Sequence, residues 1–205
     1  MILRCLRGAI PLSAAVVLSM ASVATHVALA ETAAMKIGGF TSQPIGHFDF
    51  CKRYPTECAV RSQGGQPERM SEQFRERLSA LTLAVNEAVK PVNDTELFGR
   101  EEFWTYPGRA GDCEDYVLEK RRILMQEGVS PSNLLITVVR KPDGEGHAVL
   151  TVRTDVGDLV LDNLSDVVKP WYETKYTYLK RQASTDTGRW VTIREDHAPL
   201  VGSVK

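Results

Sequence analysis

The sequence predicts an α+β domain in which N-terminal helices pack on an antiparallel sheet. Two helical stretches come first, with apolar residues recurring at spacings of three and four. From about residue 133 the period changes to two, and the alternating segments are separated by turn residues. Helices followed by hairpin-linked strands suit that class better than alternating βα units do.

The first helix is expected over Met70–Val89. Phe74, Leu78, Leu81, Val85 and Val89 share a face, Ser71 is placed to cap it and Pro91 stops it. The segment from 93 to 112, "NDTELFGREEFWTYPGRAGD", reads as a polar and aromatic connection. A second helix is expected over Cys113–Glu127, with Asp112 as N-cap and Gly128 as the residue past its end. Cys113, Val117 and Leu124 lie within about 40° of one another on a helical wheel. Lys120 interrupts that stripe.

Strands are expected at 133–141, 147–153, 158–163, 175–184 and 189–195, joined by turn chemistry in "PDGEG", "TDVG" and "TDTG". Residues 31–67 are rich in Gly, Pro and Thr with little periodicity, and read as an irregular N-terminal arm before a domain at 68–205. No internal repeat or low-complexity tract is present.

Residues 1–30 carry Arg4 and Arg7, an apolar run from about Ala9 to Ala24, and Ala28-Leu29-Ala30 ahead of Glu31. That order is the pattern of a secretory signal peptide, so the mature chain is expected to be exported, periplasmic or secreted. The apolar run is short for a membrane span, which needs about 20 residues, so no stable membrane insertion is expected. About 175 residues remain, enough for one domain with a sizeable core. Without Arg4 and Arg7 the formal charge moves from −1 to about −3. With no basic block, this balance argues against nucleic acid as a partner.

Cys51, Cys58 and Cys113 remain after the leader. Cys51 and Cys58 flank Tyr54-Pro55, a turn that can bring them together. In an oxidising compartment a disulfide is expected there, two reduced thiols being the alternative. Cys113 is then left over, and an unpaired exported cysteine is either a reactive thiol or a small buried hydrophobe. Its setting, "GDCEDY", is odd for a nucleophile, because neighbouring carboxylates raise a thiol's pKa. A helix N-terminus acts in the opposite direction.

His147 and Asp162 gain meaning from their relation. If "TDVG" closes a hairpin, Arg153 faces Asp158 and Asp162 faces Val149. Asp162 is then diagonal to His147 on the same side of the sheet, about 7–8 Å away along the backbone. An aspartate so placed can orient an imidazole, and a thiol opposite it can pass that imidazole its proton. The Cys113 backbone N–H is a natural oxyanion donor. Trp104, in the preceding loop, is the candidate for a second.

"GDCEDY", "GHAVL" (146–150) and "VLDNL" (160–164) resemble the bacterial transglutaminase-like cysteine proteinases. "PIGHFDFCKRYPTEC", "YVLEKRRIL" and "YLKRQAS" extend that resemblance over nearly all of the mature chain. It implies a papain-like, transglutaminase-like fold and a triad of Cys113, His147 and Asp162 that cleaves peptide bonds through an acyl-enzyme. It also implies a protein substrate at the periplasm or cell surface, an inner-membrane regulatory receptor, and a calcium ion held by Asp112 and Glu114, with Asp115 as a third ligand. Clustered carboxylates suit a hard cation, although three acids at a helix start also complement its dipole. No cofactor is expected for the chemistry itself.

Two other readings share these residues. The same triad serves transglutaminase-type acyl transfer to an amine, and a non-catalytic binding module could keep the fold and the cleft. Zinc is a poor fit, since Cys113, His147 and Asp162 lack a C-x-x-C or H-E-x-x-H spacing. His47 and His197 have no partner readable in sequence. Gly38-Gly39 and Gly64-Gly65 lack the context of a phosphate loop.

Overall fold

The computed structural model describes residues 33–194. The expected signal peptide at 1–30, His197 and the last residue of the final expected strand lie outside the described residues. The helices are α1 (Ile45–Arg53), α2 (Pro55–Cys58), α3 (Glu72–Ala88), α4 (Asp94–Phe98) and α5 (Cys113–Gln126). The strands are β1 (Ile37–Thr41), β2 (Lys90–Pro91), β3 (Ala110–Gly111), β4 (Leu134–Arg140), β5 (Gly146–Thr154), β6 (Gly157–Leu161), β7 (Lys169–Pro170), β8 (Thr177–Ala183) and β9 (Asp186–Ile193). One antiparallel sheet runs β1-β9-β8-β4-β5-β6-β7, and β2 pairs in parallel with β3.

Both long helices start and stop where the sequence signals them. The Ser71 hydroxyl accepts the Phe74 N–H at 3.1 Å, as an N-cap should. Gly128, at φ 95°, follows the end of α5 in the left-handed region that glycine tolerates. α3 gives Leu78, Leu81 and Val85, and α5 gives Val117 and Leu124, to one core. Leu134, Ile136, Leu150, Val152, Leu161 and Trp190 form its sheet side.

The β5–β6 hairpin has the expected register, with Arg153 opposite Asp158 and Leu150 opposite Leu161. Continued by one residue, that register sets Asp162 against Val149. It is the part of the fold that positions the site.

Of the arm expected at 31–67, the described residues 33–67 are not irregular. β1 adds an edge strand to β9, α1 buries His47 and Phe50 in the domain, and the Arg61–Asp186 bridge ties the following loop to the same strand. The Cys51–Cys58 disulfide is formed, with a Cα–Cα distance of 5.6 Å, and links α1 to α2. Buried Arg121 of α5 holds Glu57 of α2 at 2.9 Å. The segment belongs to the domain. Among the described residues, no helix is long and apolar enough to cross a membrane.

Candidate active site

Parallel pairing of Pro91 with Gly111 brings the end of α3 beside the start of α5. Gly111 must be glycine, because an added Cβ would lie 2.6 Å from Asp115 Oδ2 and 2.8 Å from Asp115 Cβ. Asp115 folds over that position, and its Oδ1 accepts the Thr105 N–H at 2.8 Å. The Gly-Asp-Cys turn therefore fixes the first residue of α5 by close packing. Cys113 begins the helix and is the free cysteine of the described residues.

Cys113 and His147 line one cleft of 600 Å³, together with Asp94, Asp112, Glu114, Glu145, Asn163 and Leu164. His147 Nε2 and Asp162 Oδ1 are 2.8 Å apart, and both side chains are buried. This contact is the diagonal pairing expected from the hairpin register. Asp162 is held from several further directions. Its Oδ2 accepts the Tyr176 hydroxyl at 2.6 Å and its Oδ1 accepts the Leu164 N–H at 3.0 Å. Its main-chain oxygen accepts Lys120 Nζ at 2.9 Å and Asn86 Nδ2 at 3.1 Å. Burial pushes the Asp162 carboxyl up, but the hydrogen bond and charge of His147, with those of Leu164 and Tyr176, outweigh it and leave it below its ordinary value.

The thiol itself does not donate to His147. Cys113 Sγ donates to Glu114 Oε2 at 3.1 Å. Burial and the Glu114 carboxylate push the thiol well up, against a smaller opposing pull from the Ala148 N–H. The expected benefit of the helix N-terminus is thus overridden by burial and, after it, the acidic neighbours. Asp112 occupies the N-cap position, but its side chain caps no helix N–H. Its Oδ2 accepts the Asp94 N–H at 3.3 Å.

The acidic cluster differs from the expected one. Asp94, Asp112 and Glu114 place carboxylate oxygens within 4.8 Å of one another. Asp115 is outside this group because its carboxylate is turned over Gly111 toward Thr105; Asp94 takes its place. Asp94 comes from α4, in the segment read only as a connection, and no local pattern marks it. Asp94 Oδ1 and Asp112 Oδ1 are buried without partners. Burial, reinforced by the neighbouring Asp112 charge, pushes Glu114 up to about 9.

Trp104 is not placed to serve as an oxyanion donor. Its indole Nε1 donates to Glu102 at 3.0 Å, and its ring is wedged against Gly46 and edge-on to His47. It is 3% exposed and absent from the cleft lining. Loop proximity to Cys113 was a misleading signal, because the ring is drawn into the aromatic cluster around α1. His47 is structural too: desolvation takes it down to about 3, and it accepts the Trp190 indole N–H at 3.2 Å.

The profile of the bacterial transglutaminase-like cysteine proteinases matches residues 37–198. Among solved structures, calcium-bound LapG of Legionella pneumophila is similar at 20% identity with a TM-score of 0.50, over 65% of this chain and 77% of that one. A second Legionella pneumophila LapG structure gives 18% identity and a TM-score of 0.48, over 82% of this chain and 85% of that one. No curated protein matches. The structural likeness agrees with the mixed α+β architecture and its large antiparallel sheet, and the profile spans most of the sequence, β1 and α1 included. The chain belongs to the bacterial transglutaminase-like cysteine proteinases and is a cysteine peptidase of that type.

Proposed function

We propose that this peptidase is exported and cuts a periplasmic or surface polypeptide, with Cys113 as nucleophile, His147 as general base and acid, and Asp162 orienting His147. The observation that carries this reading is the buried His147–Asp162 pair, whose imidazole lines the same cleft as the cysteine at the start of α5. The N-terminal pattern of Arg4, Arg7, an apolar run and Ala28-Leu29-Ala30 supports export.

In the reaction, His147 takes the thiol proton as sulfur attacks the scissile carbonyl carbon. The Cys113 N–H, which has no helical acceptor in the first turn, faces the developing oxyanion. The imidazolium then protonates the leaving amine, and the C–N bond breaks to give a thioester. Water adds to that thioester as His147 accepts its proton, and the sulfur leaves with the proton returned. Asp162 fixes the ring tautomer and stabilises its positive charge throughout.

Asp94, Asp112 and Glu114 fit a calcium ion: all three offer hard oxygen donors, and two buried carboxylate oxygens are unpartnered. An ion held there would supply positive charge that offsets the carboxylates keeping the thiol protonated. The test is Cys113→Ala against wild type, with newly formed protein N-termini in the producing cells mapped by mass spectrometry. Fragments lost in the variant support the reading. Fragments that persist overturn it.

A further inference from the structure

The turn after β6 is held tightly except at one residue. Asp162 is bonded through its carboxylate to His147, Tyr176 and Leu164, and through its carbonyl to Lys120 and Asn86. These partners come from β5, α3, α5 and the loop before β8, so residues 162–164 are fixed relative to the proposed triad. Asn163 lies in the middle of this turn and lines the cleft beside Cys113 and His147. Its Oδ1 is buried and has no partner.

A buried carbonyl oxygen left unpaired next to the well-bonded Asp162 is costly, at about 1–3 kcal/mol. Such groups recur where a ligand completes the bonding. We propose that Asn163 binds the main chain of the substrate polypeptide next to the scissile bond. The chemistry matches: a carboxamide has one acceptor and one donor group, the complement of the N–H and C=O of an extended peptide. Rotation about its Cβ–Cγ bond exchanges the two ends, so either can face the cleft. The rigid turn supplies preorganisation, because the residue that holds the chain and the one that orients His147 are neighbours. Main-chain recognition selects an extended segment over a folded surface and leaves side-chain preference to other walls of the cleft.

This inference rests on Cys113 being the nucleophile, so the experiment compares two reagents at that sulfur. Iodoacetamide carries no peptide chain; acetyl-Ala-Ala-Ala chloromethyl ketone carries several peptide units. In the full chain, Asn163→Ala is expected to slow inactivation by the peptidyl reagent about tenfold, the value of roughly one hydrogen bond, and to leave the iodoacetamide rate within about twofold. Asn163→Leu, similar in size but with neither donor nor acceptor, gives the same split and serves if the alanine variant folds poorly. An unchanged peptidyl rate, or equal losses with both reagents, overturns the role of Asn163. Failure of either reagent to label Cys113 in the wild type overturns the nucleophile and this inference together.

Discussion

Lys120→Met is predicted to make the protein more stable and less active. Lys120 is 1% exposed, and its ammonium has the Asp162 carbonyl as hydrogen-bond partner, with no carboxylate in ion-pair contact. Desolvation brings it from 10.5 down to about 8, partly opposed by the charges of Asp162 and Asp166. Keeping the ammonium charged below pH 8 therefore costs about 3 kcal/mol. The unfolded chain binds this proton more tightly, so the wild type gains stability as pH rises from about 8 to 10.5, by at most about 1.4 kcal/mol per pH unit. Methionine removes that cost and also a hydrogen bond worth about 1 kcal/mol. The variant should be about 2 kcal/mol more stable at pH 7 and about 1 kcal/mol less stable near pH 10.5. Urea denaturation of both proteins at several pH values measures the difference, and other titrating groups, such as Cys113 and Tyr178, cancel in it. The carbonyl of Asp162 keeps only Asn86, and kcat/KM should fall several-fold. A variant destabilised equally at both pH values would refute the reasoning.

Calcium should raise Tm by about 5–10 °C at saturating concentration. Asp94, Asp112 and Glu114 are all pushed up in the fold, Glu114 to about 9, so the folded state holds extra protons and loses stability as pH rises from about 4.5 towards 9. The calcium increment should accordingly grow between pH 5 and pH 8 and vanish in Asp94→Ala; an unchanged increment in that variant would rule out the site. Tyr176→Phe deprives the Asp162 carboxylate of a 2.6 Å hydrogen bond. Its kcat/KM should drop about three- to tenfold, with the acidic limb of the pH profile moved upward, and an unmoved limb would count against tuning through Asp162. Replacing Cys51 and Cys58 together by Ser opens a short loop between α1 and α2 and should cost about 2–3 kcal/mol, seen as a lower melting temperature. Iodoacetamide labelling of Cys113 should persist in that variant, and its loss would mean that the disulfide supports the site directly.

What could be read in the sequence was local or fixed by register. The α5 boundaries fall at Asp112 and Gly128 as the sequence marks them, although the Asp112 side chain does no capping, and the His147–Asp162 contact follows from a two-residue hairpin turn and alternation along β5 and β6. β1 was hidden because Gly38 and Gly39 interrupt it and its exposure does not alternate; it exists through pairing with β9, far along the chain. α1 follows Pro44, an N-cap residue that offers no side-chain cap, so it lacks the usual start signal. Lys120 was visible as a break in the apolar stripe, but its acceptor is a backbone carbonyl that no residue type announces. Asp94 likewise reaches the cluster through the short path from β2 into α4, which carries no periodicity.

The most direct measurement is on the sulfur. A substrate peptide spanning a cleavage site mapped with the wild type is mixed with enzyme, quenched in acid within the first turnover, and the enzyme digested for mass spectrometry. The N-terminal half of the substrate should be found as a thioester on Cys113, formed more slowly in His147→Ala. A peptide cut at full rate with no adduct on Cys113, or cut equally well by Cys113→Ala, would contradict the account.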